Sequence, residues 1–119
     1  MPLKTSYIFI ASMDVDPDKE ALFHEVYDTE HVPFLSSVPG VHGVSRTERQ
    51  PLTLSLGGEL KEMVFDDEPK HSAIYEIESP EVLTSAAWAE ASERGRWATE
   101  VRPFTHNRRH ILRKVTRTT

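Results

Sequence analysis

His31, in the run Glu30-His31-Val32-Pro33, is the residue of this chain best placed to move a proton. An imidazole titrates near pH 6.5, so it can accept or release a proton at physiological pH with little adjustment. Pro33 biases Val32 away from helical angles and cannot donate to the carbonyl of Thr29, which predicts a helix that kinks or ends near His31. Its ring can then turn toward a gap between helix and sheet. The plainer alternative is a helix-end histidine bonded to local carbonyls. Glu30 falls in the middle of the helix's apolar stripe if the helix runs on regularly, where a carboxylate needs a partner; the alternative is an exposed carboxylate released by the kink. Tyr7, Phe9 and Tyr75 fall on two predicted neighbouring strands and could line one pocket, with the phenols positioning a ligand oxygen; ordinary core packing accounts for them equally well. Trp97 fits a pocket wall or the helix–sheet core, as does Trp88. His106, Arg108 and His110 share one parity of the last predicted strand. His106 is a candidate to enter the pocket, and Arg108 or Arg109 to neutralise an anionic substrate.

Other chemistries lack their residues. The chain has no cysteine, which removes disulfides, thiolate nucleophiles and Cys-ligated metal centres. His106 and His110 would lie about 13 Å apart on a strand, too far to share an ion. There is no HExxH, phosphate loop, dinucleotide glycine pattern or serine elbow, so no metal site is expected.

The elements that must hold these residues read as β-α-β-β-α-β. Residues 5–13 are apolar on both parities and predict a central strand buried from both sides. Asp16-Pro17 opens a helix whose Leu22, Phe23, Val26 and Tyr27 recur at helical spacing. Residues 41–49 predict a second strand, with Gly43 marking a bulge or a close approach. Residues 51–69 form one long connection, holding either a short strand at 52–56 or a mobile lid. Residues 71–78 alternate and predict a third strand. Ser79-Pro80 opens a second helix carrying Val82, Leu83, Ala86 and Ala87, with Gly95 as its stop. A last strand spans about 104–115. The order is that of a ferredoxin-like α+β domain with a four-stranded antiparallel sheet and both helices on one face. We expect one domain over residues 1–119, with a second copy covering the open sheet face.

With 119 residues, 38% hydrophobic and 28% charged, the composition is that of a globular fold. Residues 94–119 carry eight of the 14 basic residues against Glu100 alone. That tail suits pairing with the acidic remainder, or an anionic ligand, better than nucleic acid, for which no motif is present. The apolar run 7–11 is too short to span a bilayer, and a cytoplasmic protein without membrane or nucleic-acid partners is the expectation.

The stretch from Tyr27 through Leu35, followed by Val38-Pro39-Gly40-Val41, resembles the helix-end signature of the EthD-like group of dimeric α+β barrel proteins. Residues 73–80 with Ala87-Trp88, then Gly95-Arg96-Trp97 and Val101-Arg102-Pro103-Phe104, are similar to later parts of such proteins. The resemblance implies a homodimer and a superfamily that includes polyketide cyclases, cofactor-free monooxygenases, haem-degrading oxygenases and muconolactone isomerases. The expectation drawn from the residues and the resemblance is a cofactor-independent enzyme acting on a small apolar, aromatic or polyketide-like metabolite. His31 would transfer the proton in lyase, cyclase or isomerase chemistry, with Tyr7, Phe9, Glu30, Tyr75, Trp97, His106 and Arg108 around the ligand. The alternatives are a non-catalytic small-molecule-binding dimer, and a monooxygenase that is cofactor-free or uses haem with His31 or His106 on the iron.

Overall fold

The structure, a computed structural model, describes residues 3–119. Four antiparallel strands form the main sheet: β1 (Tyr7–Val15), β2 (Val41–Glu48), β5 (His71–Ile77) and β6 (Thr105–Lys114), in the order β2-β5-β1-β6. β1 sits inside because its two apolar parities allow a neighbour on each edge and cover on each face. Its odd-numbered residues Ala11, Met13 and Val15 are buried, as are His71, Ala73, Tyr75 and Ile77 of β5. Phe9 stands opposite Tyr75 in the register, so the aromatic residues of the two central strands share the face that carries the helices. Gly43 serves both purposes read from the sequence. The register slips between Val41 and Gly43, and a Cβ there would come 2.6 Å from Glu76 Oε2.

The first helical segment does not stop at Pro33. A 3-10 turn (Pro17–Lys19) leads into α1 (Glu20–Val26), a π turn (Tyr27–His31) and then α2 (Val32–Ser36). Across the π turn the amide of Val32 donates to the carbonyl of Tyr27, five residues back. Widening the ring by one residue is how the chain absorbs a proline that cannot complete a normal turn. Rotation of the helix face follows. Glu30, which a regular helix would aim into the core, swings to the flank, and His31 takes the buried position beneath Tyr27.

The second helix is shorter than the sequence suggested. Pro80–Thr84 is a 3-10 turn, Ser85 breaks it with extended backbone, and α3 occupies Ala86–Glu93. Ser85, rather than Ser79, is the working cap, its hydroxyl accepting the Trp88 amide at 3.1 Å. A second π turn, Trp97–Val101, follows Gly95. The long connection is a hairpin of β3 (Leu52–Leu56) and β4 (Glu59–Met63) turning on Gly57-Gly58, both at positive φ as a tight hairpin turn needs. Leu52, Leu54 and Leu56 share one parity of β3, yet Leu52 and Leu56 remain exposed because no core lies beneath them.

The core fills the space between sheet and helices around Phe23, Val26, Tyr27, Leu35, Tyr75, Ile77 and Val101. Burial of each such large side chain stabilises the fold by about 1.5–3 kcal/mol. On the opposite sheet face Ile10, Ile74 and Ile111 stand in one cross-strand row without a covering element.

Candidate functional site

A cavity of about 370 Å³ opens between the helices and the sheet. Its floor is β1 and β5, contributing Phe9, Ala11, Met13 and Tyr75. One side is the π turn with Tyr27 and His31, and another is α3 with Trp88 and Ser92. The remainder is closed by Trp97, by Arg102 just before the last strand, and by Arg108 and His110 within it. This volume and mixed lining suit a small organic molecule.

His31 is only 6% exposed and stacks flat on Trp97, with ring centroids 4.4 Å apart and planes 19° from parallel. The edge of Tyr27 closes the other side at 5.1 Å. The two π turns are therefore what bring His31 and Trp97 face to face. Nδ1 of His31 is buried and has no hydrogen-bond partner among the described residues. Burial, and secondarily the charge of Arg102, pushes the His31 pKa down to about 4, so the ring is neutral at pH 7. A neutral imidazole with an unsatisfied nitrogen is costly to keep in a core, and such exceptions call for an explanation.

Tyr27 and Tyr75 meet hydroxyl to hydroxyl at 3.3 Å. Burial holds both phenols above their ordinary pKa, so both stay protonated. When one hydroxyl donates to the other, the acceptor keeps its own hydrogen free, and that hydrogen can serve a ligand oxygen. Arg102 is tied to the carboxylate of Glu93 and to the Ser92 carbonyl, so its charge is largely balanced. Arg108 donates to Thr105 Oγ1 and to the Arg102 carbonyl and pairs with no carboxylate among the described residues.

Of the residues expected to act together, Phe9, His31, Tyr75, Trp97 and Arg108 line this cavity, and Tyr7, Glu30 and His106 do not. Glu30 accepts from the Arg96 amide at 2.9 Å and from its guanidinium at 2.6 Å, which holds its carboxyl below the usual range. It works as a brace: Gly95, at φ +74°, packs so near that a Cβ would lie 2.5 Å from Glu30 Oε1. His106 is turned outward toward Asp16 at 3.4 Å, because a bulge at Asn107 breaks the strand parity assumed for it. Tyr27, Ser92 and His110 are cavity residues that sequence reasoning did not single out. Tyr27 could have been found from Tyr75, since two tyrosines on facing apolar stripes must satisfy their hydroxyls somewhere.

One other cluster has ligand chemistry. Donor atoms of Glu20, His24 and His71 lie within 4.8 Å of one another. Two of them are already engaged by cations: Lys70 Nζ is 3.1 Å from Glu20 Oε2, and Arg46 is 2.9 Å from His24 Nδ1. The cluster reads as an ion-paired network under α1.

No protein-family model and no curated protein matches the sequence. Solved structures do match. SnoaB, a cofactor-independent oxygenase from Streptomyces nogalater seen as a point mutant, aligns over 93% of each chain with TM-score 0.59 and 15% identity. An EthD family protein from Bacillus halodurans covers 92% of this chain and 99% of its own, with TM-score 0.56 and 13% identity. The haem-degrading MhuD of Mycobacterium tuberculosis, with two haems in its active site, covers 93% of this chain and 96% of its own, with TM-score 0.54 and 14% identity. The chain has their fold. The ferredoxin-like architecture and the likeness to an EthD family structure, both read from the sequence, thus stand, and at these identities the likeness concerns the fold alone. Among the described residues no helix is long and apolar enough to cross a membrane.

Of the two histidines considered as iron ligands, His106 is turned outward toward Asp16, and only His31 lines the cavity, with its Nδ1 buried. An axial iron ligand needs an imidazole nitrogen open to the cofactor's face.

Proposed function

We propose that this protein is a cofactor-independent enzyme that removes a proton from a small, flat, enolisable molecule bound in the helix–sheet cavity, with His31 as the base. The observation that carries the reading is the neutral, buried imidazole held flat against Trp97 in the cavity wall. Aromatic walls at Phe9, Trp88 and Trp97 favour a planar ring system. In the step, a ligand C–H bond breaks, the proton passes to His31, and the electron pair moves to the ligand oxygen as an enolate. The free hydroxyl hydrogen of the Tyr27–Tyr75 pair is placed to donate to that oxygen. With the cavity empty His31 is a weak base. An enolate developing beside it in a dry site favours the imidazolium, so basicity rises as the reaction proceeds.

Lyase, cyclase, isomerase and cofactor-free oxygenase chemistry can all begin with this proton removal, and SnoaB, which shares the fold, is a cofactor-independent oxygenase. The test follows the first step directly. Anthrone-type and hydroxynaphthyl ketone probes are incubated with the protein in deuterated buffer, and exchange at the acidic carbon is followed by NMR, with oxygen uptake read alongside. Exchange above the buffer rate that disappears in His31→Gln supports the reading. Equal exchange in wild type and variant refutes it. Probe binding without exchange would favour a non-catalytic binding module, and a Soret band on adding haem would favour the haem reading. The proposal includes a homodimer formed through the Ile10–Ile74–Ile111 face and a cytoplasmic setting, supported by the uncovered apolar row and the absence of cysteine.

A further inference from the structure

The start of β6 is irregular in a way that affects one side chain of the cavity. Ser12 pairs with Arg109 and Asp14 with His106, so Asn107 and Arg108 together face the single residue Met13. Asn107 is the one non-glycine residue at positive φ among those described, at 51°, and its side-chain amide is held by Asp14 Oδ2 and the Asp67 carbonyl, each at 3.0 Å. Asparagine tolerates this conformation better than almost any other side chain. In an unbroken strand, residues 105 and 108 would point to opposite faces. The extra residue puts both on the cavity side, so Thr105 Oγ1 accepts from Arg108 Nε at 3.0 Å and from Nη2 at 2.6 Å. The Arg102 carbonyl takes Nη2 as well, at 3.1 Å. The same bulge sends His106 outward.

A guanidinium braced by three neutral contacts at a cavity mouth, beside a second arginine already balanced by Glu93, is an incomplete charge arrangement. Arginine's planar fork suits a carboxylate or another acidic oxygen in two-point contact. We propose that Arg108, braced by the bulge at Asn107, is the anion anchor of this cavity, and that its ligand is a planar molecule carrying an acidic oxygen. The assignment rests on the cavity being the ligand site. It adds the class of ligand and the residue that selects it, with Thr105 and Asn107 as positioning residues.

The chain's two tryptophans, Trp88 and Trp97, both line the cavity, so intrinsic fluorescence reports on this site alone. The probes are 1-hydroxy-2-naphthoate, its uncharged amide 1-hydroxy-2-naphthamide, and 1-naphthol, titrated at pH 7.5. Wild type is expected to bind the naphthoate most tightly. Arg108→Gln should weaken the naphthoate by roughly tenfold or more, as loss of a charge-assisted contact implies, and leave the amide unchanged. Thr105→Val should weaken the naphthoate alone, while Asn107→Gly, which keeps positive φ available, should retain the preference. A preference that survives in Arg108→Gln, or is lost in Arg102→Gln instead, overturns the anchor while the cavity reading stands. Failure of all three probes to quench wild type overturns both. A naphthol that binds as tightly as the naphthoate and responds equally to Arg108→Gln assigns the anchor to a phenolic oxygen, which supports it.

Discussion

Replacing His31 by leucine tests the site through stability, without knowledge of the substrate. The imidazole pKa is held at about 4 in the folded protein, chiefly by burial, against about 6.5 in an unfolded chain. As pH falls below 6.5 the unfolded state takes up the proton first. The folded state's stability is therefore fully present above that pH and is lost progressively down to about pH 4. The interval of two and a half pH units corresponds to about 3 kcal/mol. For a domain of this size that is a shift in melting temperature on the order of 10 °C. Ion-paired carboxylates such as Glu20 and Glu93 and the depressed His71 and His110 also respond to acid, so the wild-type curve alone is not diagnostic. The difference between wild type and variant is, because those groups are common to both.

At pH 7.5, His31→Leu should lie within about 1 kcal/mol of wild type or be more stable, because it trades an unsatisfied buried nitrogen for apolar volume. Between pH 6.5 and 4.5 the variant should gain on wild type steadily, by about 2–3 kcal/mol in total. Urea unfolding at half-unit intervals of pH measures this. A difference that stays constant with pH would show that the ring titrates normally and is not enclosed, and the case for His31 as a buried base would fail with it.

Gly95→Ala should destabilise by roughly 1–2 kcal/mol, since a Cβ at positive φ would meet Glu30 Oε1 at 2.5 Å; denaturant melts measure it, and a neutral effect would refute the tight brace. Tyr75→Phe removes the hydroxyl contact to Tyr27 and should cost about 1 kcal/mol of stability, with a larger fractional loss of any exchange activity than of ligand binding. Ile74→Glu should convert a dimer to monomers by light scattering while leaving naphthamide binding in place; a wild-type monomer would end the homodimer proposal. Replacing residues 52–63 by a short Gly-Ser link should leave the melting temperature and cavity fluorescence nearly unchanged, because β3 and β4 bury no core; a large drop would mean that the hairpin packs on something essential.

The sheet was legible because its signals are local and redundant. Two apolar parities in 7–11 place β1 at the centre, and alternation in 71–77 gives β5 one buried face. The hairpin was half legible: Gly57-Gly58 is a turn signal, but Glu59–Met63 alternates too weakly to announce a strand. The cavity's composition was partly legible through aromatic residues and His31. What could not be read was rotation about an axis. A π turn and a β-bulge each add one residue, and one residue is enough to exchange Glu30 for His31, or to expel His106 and let Thr105 reach Arg108. Pro33 signals that something breaks near His31, yet it is equally compatible with a helix end. Asn107 belongs to a residue type that tolerates the left-handed region, but asparagine also occurs in extended strands, so its identity alone does not mark the bulge.

These irregularities concentrate where the cavity is. The π turns at 27–31 and 97–101 and the bulge at Asn107 all supply cavity residues, whereas the regular parts of β2, β3 and β4 supply none. A regular helix would aim Glu30 at the sheet, where it would need to be paired or protonated, and would leave His31 on the flank. A regular strand would place His106 on the cavity side, and the guanidinium of Arg108 would lose its Thr105 brace. The fold as drawn by its hydrogen-bonding periods would thus be more regular and would lack both the enclosed base and the braced cation. Keeping an unsatisfied imidazole nitrogen and a left-handed asparagine costs stability, and the two serve one cavity: His31 lines it, and the bulge at Asn107 turns Arg108 into its wall. That coincidence is why a gain in acid stability for His31→Leu accompanied by loss of proton exchange would be one result rather than two: the energy withheld from folding is what holds a neutral base ready in a dry site.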